Sequence, residues 1–228
     1  MKVLLWDIDG TLICSGQAGE RAINYAMEEV FGIRSSLEHI DYRGRTDRFI
    51  GYQLFEYYGV EPTPEHLHCF IESYLRHLES ELPKSPGKTH RGVVDILQQA
   101  HDHPGFIQGL LTGNMRRGAE LKLTFYKVWH FFSFGAFADD SVLRNELGPI
   151  ALERAAEVAG HSIEPEKVYV IGDTPHDIEC GKVIGAQTVA VATGAYDVKT
   201  LERYSPSVVF PDLGDTKTFW SWIENHNG

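Results

Sequence analysis

One short stretch near the start of the chain decides the fold: Val3-Leu4-Leu5-Trp6-Asp7-Ile8-Asp9-Gly10-Thr11-Leu12. Its apolar first half is typical of a strand in a parallel sheet that is covered on both faces. The strand ends abruptly at Asp7 and Asp9. Because ligands bind beyond the carboxyl ends of the strands in open α/β sheets, the two acids predict a functional site at this point.

The spacing of Asp7 and Asp9 predicts that their carboxylates lie close together. Side chains alternate along a strand, so residues two apart point the same way unless the chain turns between them. At about 4 Å and an effective dielectric of about 20, the repulsion costs roughly 4 kcal/mol. A divalent ion such as Mg²⁺, a shared proton or a change of direction at Gly10 would offset that cost. For this motif alone, a strand that ends in an ordinary polar turn is the alternative.

Length and composition restrict the class of protein. The chain has 228 residues and a formal net charge of −11, which argues against nucleic acid or an anionic membrane as a partner. It contains no apolar run of the roughly 18 residues that a membrane-spanning helix needs. Three scattered cysteines fit a reducing compartment, so we expect a cytoplasmic protein. An anionic substrate would require the site to reverse the charge locally.

The sequence from residue 16 to residue 85 predicts helices and shows no pattern typical of a β-strand. Apolar residues recur at helical spacing in three runs, which predict helices over 20–31, 49–58 and 64–81. A break around Gly59 and Pro62 separates the second run from the third. We therefore predict a core domain formed by residues 1–15 and 86–228, with residues 16–85 inserted as an all-helical cap domain.

Beyond residue 91 the predicted helices and strands alternate. The predicted strands are 106–111, 134–138, 167–171, 188–192 and 208–210. The predicted helices run through 94–97, 116–128, 149–159 and 177–184, and a closing helix surrounds 219–223. This alternation predicts an α/β fold whose core is a Rossmann-like, doubly wound parallel sheet.

Two more predicted strands end in polar residues. Thr112-Gly113-Asn114 follows the strand at 106–111, and Gly172-Asp173-Thr174-Pro175-His176-Asp177 follows the strand at 167–171. Hydroxyl, amide and backbone N–H groups at the start of a helix are suited to holding a phosphate. Each motif alone is also an ordinary capped helix start. Three such endings in one alternating chain favour a single shared site.

The three motifs in this order resemble those of the haloacid dehalogenase superfamily, and within it phosphatases similar to phosphoglycolate phosphatase. The resemblance implies that Asp7 is a nucleophile that forms an aspartyl phosphate. It implies that Asp9 is the general acid that protonates the leaving group and then the base that activates water. It further implies that Asp7, the main-chain carbonyl of Asp9 and Asp173 hold Mg²⁺, with Asp177 supporting the ion nearby.

The resemblance also assigns roles to residues around the phosphate. Thr112, with the backbone near Gly113 and Asn114, would bind phosphoryl oxygens. The family usually carries a lysine between the second and last motifs, and residues 139–149 contain none. Arg144 is the best candidate in that stretch, because its guanidinium is a permanent cation with a fork of donors. A solvated surface arginine is the alternative.

The predicted cap contains two further arginines, Arg43 and Arg45, within a short polar segment. Because the family's cap closes over the site, we expect one of them to hold a carboxylate or a second phosphate of the substrate. Ordinary solvated charge is the competing interpretation. Asp9 argues against a dehalogenase, which lacks this second acid, and the absence of lysine from residues 16–60 argues against a phosphonate hydrolase.

The sequence therefore predicts a Mg²⁺-dependent phosphatase that acts on a small phosphorylated metabolite, either phosphoglycolate-like or a sugar phosphate. A sugar phosphomutase of the same superfamily is one alternative. A non-catalytic protein that binds a phosphate ligand is another, although the complete set of acids argues against it. We expect a monomer or a homodimer.

Overall fold

A parallel β-sheet forms the centre of the molecule, and the computed structural model describes residues 1–226. The strands are β1 (Lys2–Trp6), β2 (Ile13–Cys14), β3 (Lys88–Thr89), β4 (Phe106–Leu111), β5 (Phe134–Ala136), β6 (Val168–Gly172), β7 (Gln187–Val191) and β8 (Val208–Phe210). The helices are α1 (Ala18–Phe31), α2 (Asp47–Tyr58), α3 (Pro64–Glu81), α4 (Val93–Asp102), α5 (Arg116–Phe125), α6 (Arg144–Ala159), α7 (Pro175–Val183), α8 (Val198–Glu202) and α9 (Thr216–Asn225).

The order of the strands confirms the doubly wound α/β fold. Six parallel strands lie in the order β5-β4-β1-β6-β7-β8. The chain builds outward from β1 on one side through β4 and β5, and then crosses over to continue on the other side with β6. Such a reversal beside a central strand leaves a crevice at the carboxyl ends of the strands.

Strand β1 is buried on both faces of the sheet. Leu4 and Trp6 pack in one hydrophobic cluster with α4, α5 and α9, while Val3 and Leu5 pack in a second cluster with α6 and α7. All four side chains are inaccessible to solvent. The continuous apolar run of β1 is explained by these two covered faces.

The register of the sheet brings the ends of three strands level. Trp6 at the end of β1 pairs with Leu110 in β4 on one side and with Ile171 in β6 on the other. Parallel strands in this register place the residues that follow them along one edge. The polar motifs after β1, β4 and β6 are therefore neighbours in space, although they are far apart in sequence.

The helices α1, α2 and α3 share a hydrophobic core that is separate from those of the sheet. The chain leaves the sheet region along β2 and returns along β3, and these two strands form a short antiparallel ladder that pairs Ile13 with Thr89. The division at residues 16 and 85 stays a prediction, and residues 227–228 of the predicted core lie outside the described part. Within residues 1–226, no helix is both long and apolar enough to cross a membrane.

Three features of the fold differ from the expectations. Helix α6 begins at Arg144 rather than at Pro149, so the proline lies inside the helix at the loss of one backbone hydrogen bond. Helix α5 ends at Phe125 rather than near Val128, because Lys127 adopts a left-handed backbone conformation. The short elements β2, β3 and α8 were not expected, since strands of two residues and a helix of five carry no periodic signal. The other predicted elements are present, with ends displaced by a few residues.

Candidate active site

A cavity of about 380 Å³ opens at the carboxyl edge of the sheet, beneath the layer of α1, α2 and α3. The sequence-predicted residues that line it are Asp7, Asp9, Arg43, Arg45, Gly113, Asn114, Arg144 and Asp173. Thr112 and Asp177 are buried and do not line the cavity. The hydroxyl of Thr112 instead accepts a hydrogen bond from the Asn114 side-chain amide over 2.9 Å.

Asp7 follows β1 directly and is held in place by the neighbouring strand. Its N–H donates to the carbonyl of Ile171 over 2.9 Å, which continues the pairing of β1 with β6. Burial and the Asp177 carboxylate raise the pKa of Asp7 to about 7, although Arg144 acts in the opposite direction. The positive charge of Arg144 is therefore too small to offset the effect of burial and of Asp177, and the ionised form of Asp7 is destabilised.

Asp173 follows β6 and packs against the turn after β1. Its carboxylate accepts a hydrogen bond from the Thr11 hydroxyl over 3.1 Å. Gly10 adopts a φ of +90°, and a Cβ at that position would overlap the Asp173 carboxylate. Glycine is required at this turn for both reasons. Burial and the carboxylates of Asp7 and Asp177 raise the pKa of Asp173 above its usual range.

The carboxylates of Asp7, Asp173 and Asp177 form a buried cluster in which one oxygen from each lies within 4.8 Å of the others. Hard oxygen donors whose pKa values are raised by burial and mutual repulsion fit a divalent cation such as Mg²⁺. Asp177 has other partners, because its Oδ2 accepts hydrogen bonds from the N–H and the hydroxyl of Thr174. Asp7 and Asp173 are therefore the members of the cluster whose carboxylate oxygens are more available to a cation.

Arg144 lies in the first turn of α6 and is buried, so the interpretation as a solvated surface residue is wrong. Its Nη2 lies 3.1 Å from Oδ1 of Asp7 and also donates to the Asp177 carboxylate. The same nitrogen donates to the main-chain carbonyl of Leu111 over 3.0 Å. Arg144 partly neutralises the acid cluster from the side of the sheet where β4 ends.

Asp9 has different surroundings from Asp7. Its carboxylate accepts hydrogen bonds from the side chains of Lys122 over 2.5 Å and Asn114 over 3.0 Å. Lys122 is not among the predicted site residues, because the family's lysine was expected between residues 139 and 149. Helical spacing places Lys122 on the same face of α5 as Gly118 and Ala119, and the structure shows that this face is buried, where an unpaired lysine would be costly.

The segment that carries Arg43 and Arg45 closes one side of the cavity. Arg45 forms an ion pair with Asp41 over 2.6 Å, and its guanidinium lies over the ring of Phe49. The guanidinium of Arg43 lies over the ring of Tyr42, and Arg43 has no ion-pair partner among residues 1–226. Arg43 is thus the cavity arginine with unneutralised charge.

The start of α2 is attached to the loop that follows β4. The N–H of Asp47 donates to the carbonyl of Gly113, and the N–H of Met115 donates to the Asp47 carboxylate, each over 2.7 Å. Burial raises the pKa of Asp47 to about 6, while the charge of Lys122 opposes that shift. These contacts describe a closed arrangement of the helical layer over the sheet.

The fold and the site define an α/β protein with paired aspartates at the carboxyl edge of its sheet. A family model described as haloacid dehalogenase-like hydrolase matches residues 4–191, and the chain belongs to this family. It is 25% identical over 218 residues to a protein from Bacillus mycoides named pyrophosphatase PpaX, with 94% of each chain covered. It is 25% identical over 228 residues to phosphoglycolate phosphatase from Vibrio cholerae, again with 94% of each covered.

A solved structure supports the same fold. The crystal structure of a hydrolase from Pseudomonas syringae matches with a TM-score of 0.77 at 22% identity, and the match covers 98% of this chain and 99% of that one. The family model and the phosphoglycolate phosphatase relative confirm the resemblance to the haloacid dehalogenase superfamily and to phosphoglycolate phosphatase.

Proposed function

We propose that this protein is a Mg²⁺-dependent phosphatase that cleaves a small organic phosphate monoester through a phosphoaspartate on Asp7. The main support is the contrast between two carboxylates that line one cavity. The Asp7 side chain is 8% exposed and contacts Arg144, whereas the Asp9 side chain is 40% exposed and contacts Lys122. Two carboxylates in unlike surroundings are suited to the separate roles of nucleophile and acid–base group.

In the first step an oxygen of the Asp7 carboxylate forms a bond to phosphorus as the bond to the leaving oxygen breaks. Asp9 donates its proton to that leaving oxygen, which departs as an alcohol. Backbone N–H groups at Gly113 and Asn114, with the cationic Arg144, supply positive potential where the charge of the phosphoryl group is concentrated. Gly113 and Asn114 lie in the loop that follows β4, and Arg144 lies in the first turn of α6, so little rearrangement is needed.

In the second step Asp9 accepts a proton from water while the water oxygen bonds to phosphorus. The bond between phosphorus and the Asp7 oxygen breaks, which releases phosphate and restores both acids to their starting forms. Asp7, Asp173 and the main-chain carbonyl of Asp9 would hold Mg²⁺. The bound ion supplies positive charge to the transferring phosphoryl group and to the acids around it.

The substrate that we propose is a small phosphorylated metabolite with a second anionic group. The names of the two relatives point to phosphate-containing substrates of this size. The uncompensated charge of Arg43 in the cavity wall supports a carboxylate or phosphate on the leaving group. The protein as a whole carries a charge of −11, so local cations are needed to attract such an anion. We further propose residues 16–85 as a cap that excludes water; a cytoplasmic location stays a prediction.

Phosphate release from a panel of small phosphate esters tests this proposal. We expect wild-type turnover that requires Mg²⁺, is abolished by EDTA and is lost in Asp7→Asn. Asp95→Asn is the matched control, because Asp95 is exposed on α4, outside the cavity. A mutase would instead isomerise a sugar phosphate without releasing phosphate, and a binding protein would retain the ligand unchanged. Either result with folded, Mg²⁺-loaded protein would overturn the proposed hydrolysis.

A further inference from the structure

Lys122 reaches the acid–base candidate from the core side of the cavity. It lies on α5, and its Nζ is 2.5 Å from Oδ2 of Asp9 and 2.6 Å from Oδ1 of Asn114. The amide nitrogen of Asn114 donates to the same Oδ2 of Asp9 over 3.0 Å. The three side chains therefore form a closed ring of hydrogen bonds.

The charge of Lys122 is directed at Asp9. The lysine side chain is 5% exposed, and a buried ammonium group is costly unless it is paired. Within residues 1–226, Asp9 is the carboxylate that forms an ion pair with Lys122. The nucleophile candidate Asp7 has a different cation, Arg144. The site thus gives each of its two leading acids a separate basic partner.

The two donors fix the orientation of the Asp9 carboxyl group. Both Lys122 and Asn114 donate to Oδ2, whereas no hydrogen bond within residues 1–226 engages Oδ1. Because Oδ2 already accepts two hydrogen bonds, Oδ1 is the oxygen of Asp9 that remains available to a ligand in the cavity.

We infer that Lys122 is a positioning residue that holds Asp9 so that Oδ1 faces the leaving-group oxygen. The inference rests on the proposed phosphatase function and adds to it a residue that acts through Asp9. It predicts that removing Lys122 lowers the rate of hydrolysis most for esters whose leaving group needs a proton. An alkoxide leaving group needs the proton, whereas p-nitrophenolate departs without one.

The test compares hydrolysis of glycerol 2-phosphate and p-nitrophenyl phosphate by one preparation of each variant. For Lys122→Met we expect kcat to fall by about 30-fold or more on the alkyl ester and by less than about 3-fold on the aryl ester, with KM nearly unchanged. The ratio of the two rates is independent of the fraction of folded enzyme. A partial folding defect therefore leaves the result interpretable.

Four further variants complete the design. Lys122→Arg keeps a cationic donor and should recover part of the alkyl-ester rate, while Lys217→Met, on the exposed surface of α9, should behave as wild type. Adding Lys122→Met to Asp9→Asn should cause no further loss on the alkyl ester, because both changes act through one group. Equal losses on the two esters, or a change confined to KM, would overturn the inference. Failure of wild type to hydrolyse either ester would refute the proposed function and this inference with it.

Discussion

Nη2 of Arg144 lies 3.1 Å from Oδ1 of Asp7 in the buried centre of the site and also contacts Asp177. Replacing Arg144 by methionine would leave two buried carboxylates without their cation. We expect a loss of about 3–5 kcal/mol in the free energy of unfolding, which lowers the melting temperature by roughly 10 °C in metal-free buffer. Thermal unfolding followed by circular dichroism measures this shift.

The control for this prediction is Arg34→Met. Arg34 pairs with Glu28 over 3.1 Å, but its side chain is 89% exposed, so the pair contributes little. The two substitutions remove the same group from opposite environments. Equal melting temperatures for the two variants would contradict the assigned role of Arg144 as the counter-charge of the acid cluster.

A substitution at Gly44 tests whether the segment that carries Arg43 and Arg45 must approach the loop that follows β6. It adopts a φ of +73°, and a Cβ at this position would overlap the hydroxyl of Thr174. We expect Gly44→Ala to lower kcat/KM by about 10-fold or more, because the added methyl group displaces the segment that carries Arg43. Steady-state kinetics on the best ester of the panel measures the loss.

Gly59→Ala is the matched control for Gly44→Ala. Gly59 has a φ of +71°, so both substitutions carry the same left-handed strain of about 1 kcal/mol. A Cβ at Gly59 meets no atom within 4 Å. Gly59→Ala should therefore reduce stability while leaving kcat/KM almost intact. Similar kinetic losses in both variants would show that backbone strain, and not the contact with Thr174, limits activity.

The fold was predictable to the extent that it depends on local patterns. The apolar run from Val3 to Trp6 and the acids that follow it predict a buried strand with a site at its end, since both signals lie within ten residues. The position of Asp7 beside Asp173 follows from the parallel sheet, because strands in register end at one edge. The start of α6 at Arg144 has no such local pattern, and the sequence predicted a loop at this position.

The remaining site contacts depend on packing between distant segments. Lys122 lies 113 positions from Asp9, and its spacing alone does not distinguish it from a lysine whose chain extends to solvent. Helix α6 begins at Arg144, whose guanidinium contacts Asp7 and Asp177, although Pro149 favours a later helix start. Such contacts become visible only when the sheet has brought their partners together.

Arg43 should set the preference for an anionic leaving group. Its guanidinium has no carboxylate partner among the described residues, whereas Arg45 is paired with Asp41. We expect Arg43→Met to raise KM about 10-fold or more for an ester with a second anionic group, and less than about 3-fold for a neutral one. Arg45→Met, measured on the same two esters, should show little selectivity. A loss that is equal for both esters would contradict a direct contact with the second anion.

The buried carboxyl groups of Asp7 and Asp47 predict that the protein becomes less stable as the pH rises when no metal is bound. Burial raises the pKa of Asp7 to about 7 and that of Asp47 to about 6, while both ionise near pH 4 in the unfolded chain. Between about pH 4 and about pH 7 the native state binds more protons than the unfolded state. The free energy of unfolding therefore falls as the pH rises through this range. In EDTA we expect the melting temperature to drop by several degrees from about pH 5 to about pH 8.

Mg²⁺ separates the contribution of Asp7 from that of Asp47. An ion bound by Asp7 and Asp173 stabilises their ionised forms, so Mg²⁺ should raise the melting temperature most at about pH 8 and least at about pH 5. In Asp7→Asn the gain from Mg²⁺ should shrink, whereas in Asp47→Asn it should persist on a flatter pH profile. Acids with a lowered pKa, such as Glu29 at about 2, titrate below this window, whereas His90 and His176, whose pKa burial lowers, act against the trend within it. A melting temperature that rises with pH in EDTA, or a gain from Mg²⁺ that survives Asp7→Asn unchanged, would refute the assignment of the ion to this cluster.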